Sequence, residues 1–354
     1  MLIHMTPEPA ALCNQAKWAF ATRRVVRADV FGLSKKFAEA ESGDLVLGRV
    51  SFIGQHKGLQ LTTGRRSILY PGDFVVAACG ARYAPDQFEG TAEILPKGAD
   101  LLAGGGCVGR MTCKNSKVSA PTGIEPLGLL TRCDDGKINL GDYALPPRPR
   151  STAIPVVAVF GSSMNAGKTT AATALVRGLK QAGWMVAAIK GTGTGAFGDF
   201  NSVTDAGAHY VADFTDTGMA STYQQPMVRV KAAIQTLMSE AKTQGANIVV
   251  LEIADGLFQQ ETAALLADAE FRTWISGVIF ACGDPLAAAG GVAEMDRVGL
   301  KPAALTGILS CSPMSSTEAS SATGVPVLTK QDLSDPAEAS ALAQALIHPT
   351  AEVA

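Results

Sequence analysis

The chain has 354 residues, 47% hydrophobic and 18% charged, the profile of a folded protein with room for two domains and a sizeable core. A formal net charge of -2 excludes a non-specific nucleic-acid binder, because phosphate backbones select for a basic balance. No apolar run is long enough to span a bilayer, and the opening MLIHMTPEPAALC lacks a cationic segment followed by an apolar one. The expectation is a cytoplasmic protein acting on a small molecule, with no nucleic-acid or membrane partner and with a homodimer left open.

Seven cysteines are odd in number and scattered, and Cys107 and Cys113 are too far apart for a Cys-x-x-Cys pair. Reduced thiols follow, with Cys282 and Cys311, each after an apolar run, expected in the core. The four histidines show no metal spacing.

In chain order, residues 1–20 read as a loose tail or a short helix. Residues 21–145 have the texture of a β-rich domain. DLVLGRVSFIG, GLQLTTGRRSILY, DFVVAACG and TAEIL are short strand-like runs, with turns at TTGRR and YPGD. Their close spacing suggests a small barrel or sandwich. GARYAPDQFEG and GGGCVGRMTCKNS read as loops, either ligand-facing or ordinary. PPRPRSTAIP, residues 146–155, is a stiff Pro-rich linker.

Residues 156–348 alternate strands and helices. Strands are expected over 156–160, 185–190, 248–253, 275–282, 305–311 and 325–329, and helices over 168–182 and 227–244, the latter stopped by Gly245. Continuous apolar strands alternating with helices form a parallel sheet covered on both faces. The expected fold class is therefore α/β, a P-loop NTPase-type parallel sheet preceded by the smaller β-rich domain.

VVAVFGSSMNAGKTTAATALV, starting at Val156, carries the chemistry. A phosphate-binding loop usually reads G-x-x-x-x-G-K-[ST]. Here Ser162 holds the place of the first glycine and Gly161 stands one residue earlier, giving G-x5-G-K-T. The physical requirements are met: an apolar strand ends at Phe160 and a helix begins near Lys168, so backbone N–H groups and the helix dipole face an anion. Gly161, Asn165, Ala166, Gly167, Lys168, Thr169 and Thr170 would hold the phosphates. Gly167 allows close approach, Lys168 reaches the outer phosphates, Thr169 ligates Mg²⁺ and Thr170 meets an inner phosphate. Ligands of open parallel sheets bind at the carboxyl ends of strands, where Phe160, Lys190, Glu252 and Asp284 all stand.

G-x5-G-K-[ST] resembles the loop of dethiobiotin synthetase and of the cobyric and cobyrinic acid amidating synthetases, a branch of P-loop NTPases that includes MobB-type molybdopterin guanine dinucleotide proteins. The resemblance covers about residues 155–345. It implies a Mg²⁺- and ATP-dependent ligase or kinase-like transferase that activates a small carboxylate or carbamate by phosphoryl transfer. In dethiobiotin synthetase a lysine ends the second strand, an Asn-Ser-Asp motif follows, and a glutamate ends the third strand. AAIKGTGTG offers Lys190, NSVTDAGA offers Asp205 at a stretched spacing with Asp199 as substitute, and IVVLEIADG offers Glu252. By resemblance Thr169, Asp205 and Glu252 bind Mg²⁺, and Lys190 stabilises transferred phosphate or substrate charge, with Lys168 and Lys190 as the catalytic pair. EIADGLF replaces the family's Glu-Gly-x-Gly-Gly and brings Asp255 as a nearby acid. Asp199, Asp255 and Asp216 of DFTDTGMASTY are substrate-contact candidates.

Two other readings compete. A MobB-type accessory protein would bind GTP, and VLTKQDL holds a Thr-Lys-x-Asp whose Asp332 would meet guanine, or which is simply a solvated turn. DAGAHYVADFTDTG and GTGTG are similar to segments of the D-glutamate N-acetyltransferase family, which implies acetyl-CoA, its phosphates on the loop. Glycines 191, 193, 195 and 198 form either a loop over the substrate or a long connection.

Overall fold

A computed structural model describes residues 9–149 and 154–347. The chain forms two compact units. The first takes the chain up to Pro146 together with Thr194–Phe197 and Phe214–Gln224; the second takes Pro147–Gly193, Gly198–Asp213 and the chain from Gln225 onward. The second half of the sequence thus lends two segments to the first unit, which a linear division at the Pro-rich stretch does not foresee. Residues 150–153 of that stretch lie outside the described residues.

The first unit is built from α1 (Pro9–Gln15) and β1 (Lys17–Trp18), β2 (Gly32–Ser34), β3 (Leu45–Phe52), β4 (Gly58–Gln60), β5 (Arg66–Ile68), β6 (Phe74–Cys79), β7 (Arg82–Tyr83), β8 (Phe88–Thr91), β9 (Ala99–Ala103), β10 (Cys107–Lys114) and β11 (Thr122–Thr131). β6, β3, β11, β9 and β10 pair in turn, and a parallel β10–β6 pairing closes the ring into a five-stranded barrel. Closure leaves no open edge among these five strands. Inward residues alternate along the strands, as in Val46 and Val50 of β3 and Val75, Ala77 and Cys79 of β6. The intervening Leu45, Leu47, Val76 and Ala78 are buried too, in a second cluster with Cys13 and Trp18.

Within residues 1–20, α1 is the short helix expected as one alternative, and the second cluster adds a strand that was not expected. Residues 1–8 lie outside the described residues, but β1 pairs in parallel with β6, and Trp18 is buried with its Nε1 donating to the Cys13 carbonyl at 2.9 Å. GARYAPDQFEG is the β7–β8 hairpin rather than an irregular loop, and TAEIL contributes only its first residue to a strand. GGGCVGRMTCKNS is mostly β10. Its glycines disguise it locally, yet a side chain at Gly109 would collide with the Thr91 carbonyl, so strand packing needs the glycine.

The second unit holds a six-stranded parallel sheet of β12 (Val156–Gly161), β13 (Val186–Lys190), β14 (Tyr210–Asp213), β15 (Ile248–Glu252), β16 (Gly277–Ala281) and β17 (Ala304–Thr306), ordered β14-β13-β15-β12-β16-β17. Its helices are α2 (Lys168–Gln181), α3 (Phe197–Asp205), α4 (Met227–Thr243), α5 (Gln260–Ala267), α6 (Ala269–Arg272), α7 (Pro285–Asp296), α8 (Pro313–Thr323), α9 (Lys330–Ser334) and α10 (Pro336–Ile347). Val157, Val159, Val186, Ala188, Ile248 and Val250 line one face, under α2, α3, α9 and α10. On the other face Leu251 and Ile234 of α4 both approach Gly191, and Gly291 of α7 lies on the Phe280 ring. Buried on both faces, these strands read as unbroken apolar runs.

Three strand expectations change. β14 was not foreseen, because four residues after a Gly-Ala-His stretch carry little pattern. The run 305–311 is a strand only to Thr306: Gly307 takes φ 92°, a 3-10 turn follows over Ile308–Cys311, and Cys311 is exposed rather than in the core, whereas Cys282 is fully buried. The run 325–329 forms no strand; Val327 makes a single parallel bridge to Leu305. Among the described residues no helix is long and apolar enough to cross a membrane.

Candidate functional site

The sheet order decides where a ligand can enter. After β12 the chain turns toward β13, whereas after β15 it crosses toward β16, on the opposite side. Neighbouring strands whose exits diverge leave a crevice at their carboxyl ends. The G-x5-G-K-T loop occupies that crevice. Asn165 at φ 64° and Gly167 at φ 102° turn the backbone into α2, whose N-cap is Gly167. A Cβ on Gly167 would stand 2.8 Å from the Gly307 Cα, so the two glycines permit backbone-to-backbone contact, which the Ile308 N–H donating to the Ala166 carbonyl at 3.1 Å completes. The first N–H groups of α2 lack intrahelical acceptors and face the loop with the positive end of the dipole.

Lys168 is buried, and its Nζ donates to the carbonyls of Ser163 and Asp255, both at 2.8 Å. Asp255, at φ 63°, meets the loop lysine through its backbone. Gly256 lies so close to the Ser162 carbonyl that a side chain there would collide with it. EIADG therefore does the work of a close-packed glycine turn with fewer glycines. Burial pushes the Lys168 ammonium below its ordinary pKa, against the pull of Glu252 and Asp255.

β15, β13 and β14 end in register with Glu252 opposite Lys190 and Lys190 opposite Asp213, so the three side chains share one face. Glu252 is 6% exposed. Its Oε1 accepts from the Thr169 hydroxyl at 3.1 Å and stands 3.3 Å from Lys190 Nζ, which also pairs with Asp199 of α3. Burial opposes the charge on Lys190, but Glu252 and Asp199 more than offset it and hold its pKa above the ordinary lysine value. The two lysines are thus tuned in opposite directions.

The structure brings together Gly161, Gly167, Lys168, Thr169, Lys190, Asp199, Glu252 and Asp255. It does not bring in Asp205. That residue ends α3, six residues and roughly 9 Å along the helix axis from Asp199, and is exposed. We expect Asp205→Ala to leave affinity for a magnesium nucleotide within about twofold, whereas Thr169→Ala lowers it; calorimetric titration checks both. Asp216 makes ion pairs within the first unit: it stands 2.6 Å from Arg23 NH2, with Arg24 at 3.9 Å. Asp213, opposite Lys190, is a further candidate that the sequence reading missed: 3% exposed at the end of an unforeseen strand.

Thr170 opens onto a cavity of about 390 Å³ beside the loop, lined also by Thr306, Gly307, Ser310, Thr329 and Lys330. Such a volume suits a nucleoside-sized group. The lining comes from three separate segments, and within it only Gly167 and Thr170 belong to the expected phosphate loop. Asp332 does not line it. Thr329 and Asp332 form a capping box for α9, with the Asp332 carboxylate accepting from the Thr329 N–H and hydroxyl, each at 2.8 Å. Thr-Lys-x-Asp is thus a helix start. We expect Asp332→Ala to cost about 1 kcal/mol in denaturant unfolding and to leave the ATP-to-GTP affinity ratio unchanged; a shifted ratio would restore a guanine-reading role.

Among the described residues no group of three or more His, Cys, Asp or Glu side chains is placed to hold a metal ion unaided. Mg²⁺ at a phosphate loop needs no such cage, since it keeps waters and takes one or two protein oxygens beside the phosphates. Thr169 and Glu252, 3.1 Å apart at the start of α2, fit that requirement.

Strand, phosphate loop and helix at the centre of a parallel sheet define a P-loop NTPase-type α/β fold. No family model matches the chain, and no curated protein does. Among solved structures it is similar to the signal recognition particle 54 kDa protein from Aeropyrum pernix K1 in complex with GDP, at 16% identity and a TM-score of 0.38, over 59% of this chain and 49% of that one. It is similar to the signal recognition particle receptor FtsY from Elizabethkingia anophelis at the same identity and TM-score, over 56% of this chain and 66% of that one. The chain therefore spans less than two thirds of either neighbour.

Proposed function

We propose that the second unit binds a magnesium nucleoside triphosphate and transfers its terminal phosphoryl group to a small acidic acceptor, a carboxylate or carbamate. One observation carries this reading: a single buried carboxylate, Glu252, joins the Thr169 hydroxyl of the phosphate loop to Lys190 at the end of the neighbouring strand. Metal-side and acceptor-side groups then meet on one oxygen. The resemblance of the G-x5-G-K-T loop to dethiobiotin-synthetase-like enzymes supports the acidic acceptor.

Mg²⁺, when bound, would neutralise charge on the outer phosphates. Lys168 would exchange its two carbonyl partners for phosphate oxygens. An acceptor oxygen attacks the terminal phosphorus, the bond to the bridging oxygen breaks, and the nucleoside diphosphate leaves with the electron pair. Lys168 and Lys190 spread the charge of that transition state, so positioning and electrostatics supply the rate. The cavity beside Thr170 would take the nucleoside.

Product analysis tests the reading. The full chain is incubated with Mg²⁺, ATP or GTP and a panel of small carboxylates, and acyl phosphate is trapped with hydroxylamine. Acceptor-dependent diphosphate and hydroxamate are expected. Diphosphate and free phosphate at one rate whatever acceptor is added would make the protein a nucleotide hydrolase of accessory type.

A further inference from the structure

Lys190 has two carboxylate partners, and they are held very differently. Glu252 ends a central strand, its side chain is 8% exposed, and Thr169 also binds it. Asp199 stands in the first turn of α3 with its side chain 32% exposed, and Lys190 is its ion-pair partner. Asp199 is therefore the more exposed and more replaceable of the two partners.

The helix that carries Asp199 buries little of its surface. Val203 is its one buried side chain. Gly198, just before Asp199, has open space where a Cβ would stand. Beneath the helix lies a cavity of about 20 Å³, bordered by Lys190, Asp199, Phe200, Val203, Asp213 and Glu252. That is room for about one water. With one buried side chain on its helix and about a third of its own side-chain surface exposed, Asp199 can leave Lys190 without unpacking a core.

We propose that Asp199 is a placeholder: its carboxylate occupies the anion position at Lys190 that the acceptor's carboxylate takes, and the acceptor enters by exchanging one carboxylate for the other. This deepens the proposed function and rests on it for the phosphoryl donor. The exchange keeps Lys190 neutralised at every stage, avoiding an unpaired buried charge. It also selects acceptors whose acidic group is small enough to replace an aspartate side chain, and it rejects neutral analogues, which would leave Lys190 short of a partner.

The test uses acetate and malonate as carboxylate probes, with non-hydrolysable triphosphate and diphosphate as a second pair, on the full chain. Wild type, Asp199→Asn, Asp199→Ala and each with Lys190→Met are compared by equilibrium titration. Both Asp199 variants are expected to bind the carboxylates at least fivefold tighter, and Lys190→Met to abolish the gain. Folding is checked by circular dichroism. A gain confined to triphosphate over diphosphate would overturn the acceptor assignment, because the position would then belong to the terminal phosphoryl group. Equal or weaker binding of every probe would overturn the placeholder altogether. A wild type that binds no triphosphate removes the proposed function, while the carboxylate titration still decides the role of Asp199.

Discussion

Replacing Lys168 by alanine is expected to weaken binding of a magnesium nucleoside triphosphate by at least about 100-fold. The lysine is buried, and its two present partners are carbonyls of the loop and of the turn after β15. Hydrogen bonds from a charged donor contribute about 1.5–3 kcal/mol each. Losing two phosphate contacts, offset partly by the smaller desolvation cost of alanine, therefore reaches the roughly 2.8 kcal/mol that a 100-fold change represents. Stability should fall much less, because the alanine removes the buried ammonium along with its bonds. The loop carbonyls of Ser163 and Asp255 would then turn to water. Calorimetric titration gives the affinity and denaturant unfolding gives the stability; unchanged affinity would refute the phosphate loop.

Replacing Glu252 by glutamine is expected to lower turnover about 100- to 1,000-fold while changing triphosphate affinity far less. The side chain keeps its shape, so the loop stays in place. What is lost is the charge that steadies Lys190 on one side and attracts a cation beside Thr169 on the other. Removing one preorganised electrostatic group from a reacting centre costs about 2.7–4 kcal/mol in the barrier. Breaking a buried ion pair costs stability too, about 3–5 kcal/mol when a charge is left alone. Here Asp199 remains on Lys190, so the loss should be smaller. The Mg²⁺ concentration for half-maximal turnover should rise. Equal turnover and unchanged Mg²⁺ dependence would remove Glu252 from the site.

The loop was legible because its chemistry is local. Strand end, glycine, lysine and helix start follow one another within about fifteen residues, so sequence spacing is spatial spacing. Lys190 and Glu252 were legible for a related reason: each closes a long apolar run, and parallel strands align their ends. Asp199 and Asp205 could not be separated by spacing alone, since both fall on one short helix. Only the helix axis shows that one reaches Lys190 and the other does not. Asp213 was hidden by a strand too short to announce itself. The cavity beside Thr170 was hidden because its walls come from turns far apart in the chain. In the first unit the barrel texture was readable, but β10 and β11 were not. Their glycines and Pro126 look like loop residues until a neighbouring strand is present to need them.

The most direct test of the account is the thermal stability of the full chain with ATP, GTP, the two diphosphates and acetyl-CoA, each with and without Mg²⁺. A ligand at 100 times its dissociation constant stabilises by about 2.7 kcal/mol, a shift easily measured. The account predicts that a nucleoside triphosphate raises the midpoint, more with Mg²⁺ than without, and that Lys168→Ala abolishes the rise. Stabilisation by acetyl-CoA alone would contradict it.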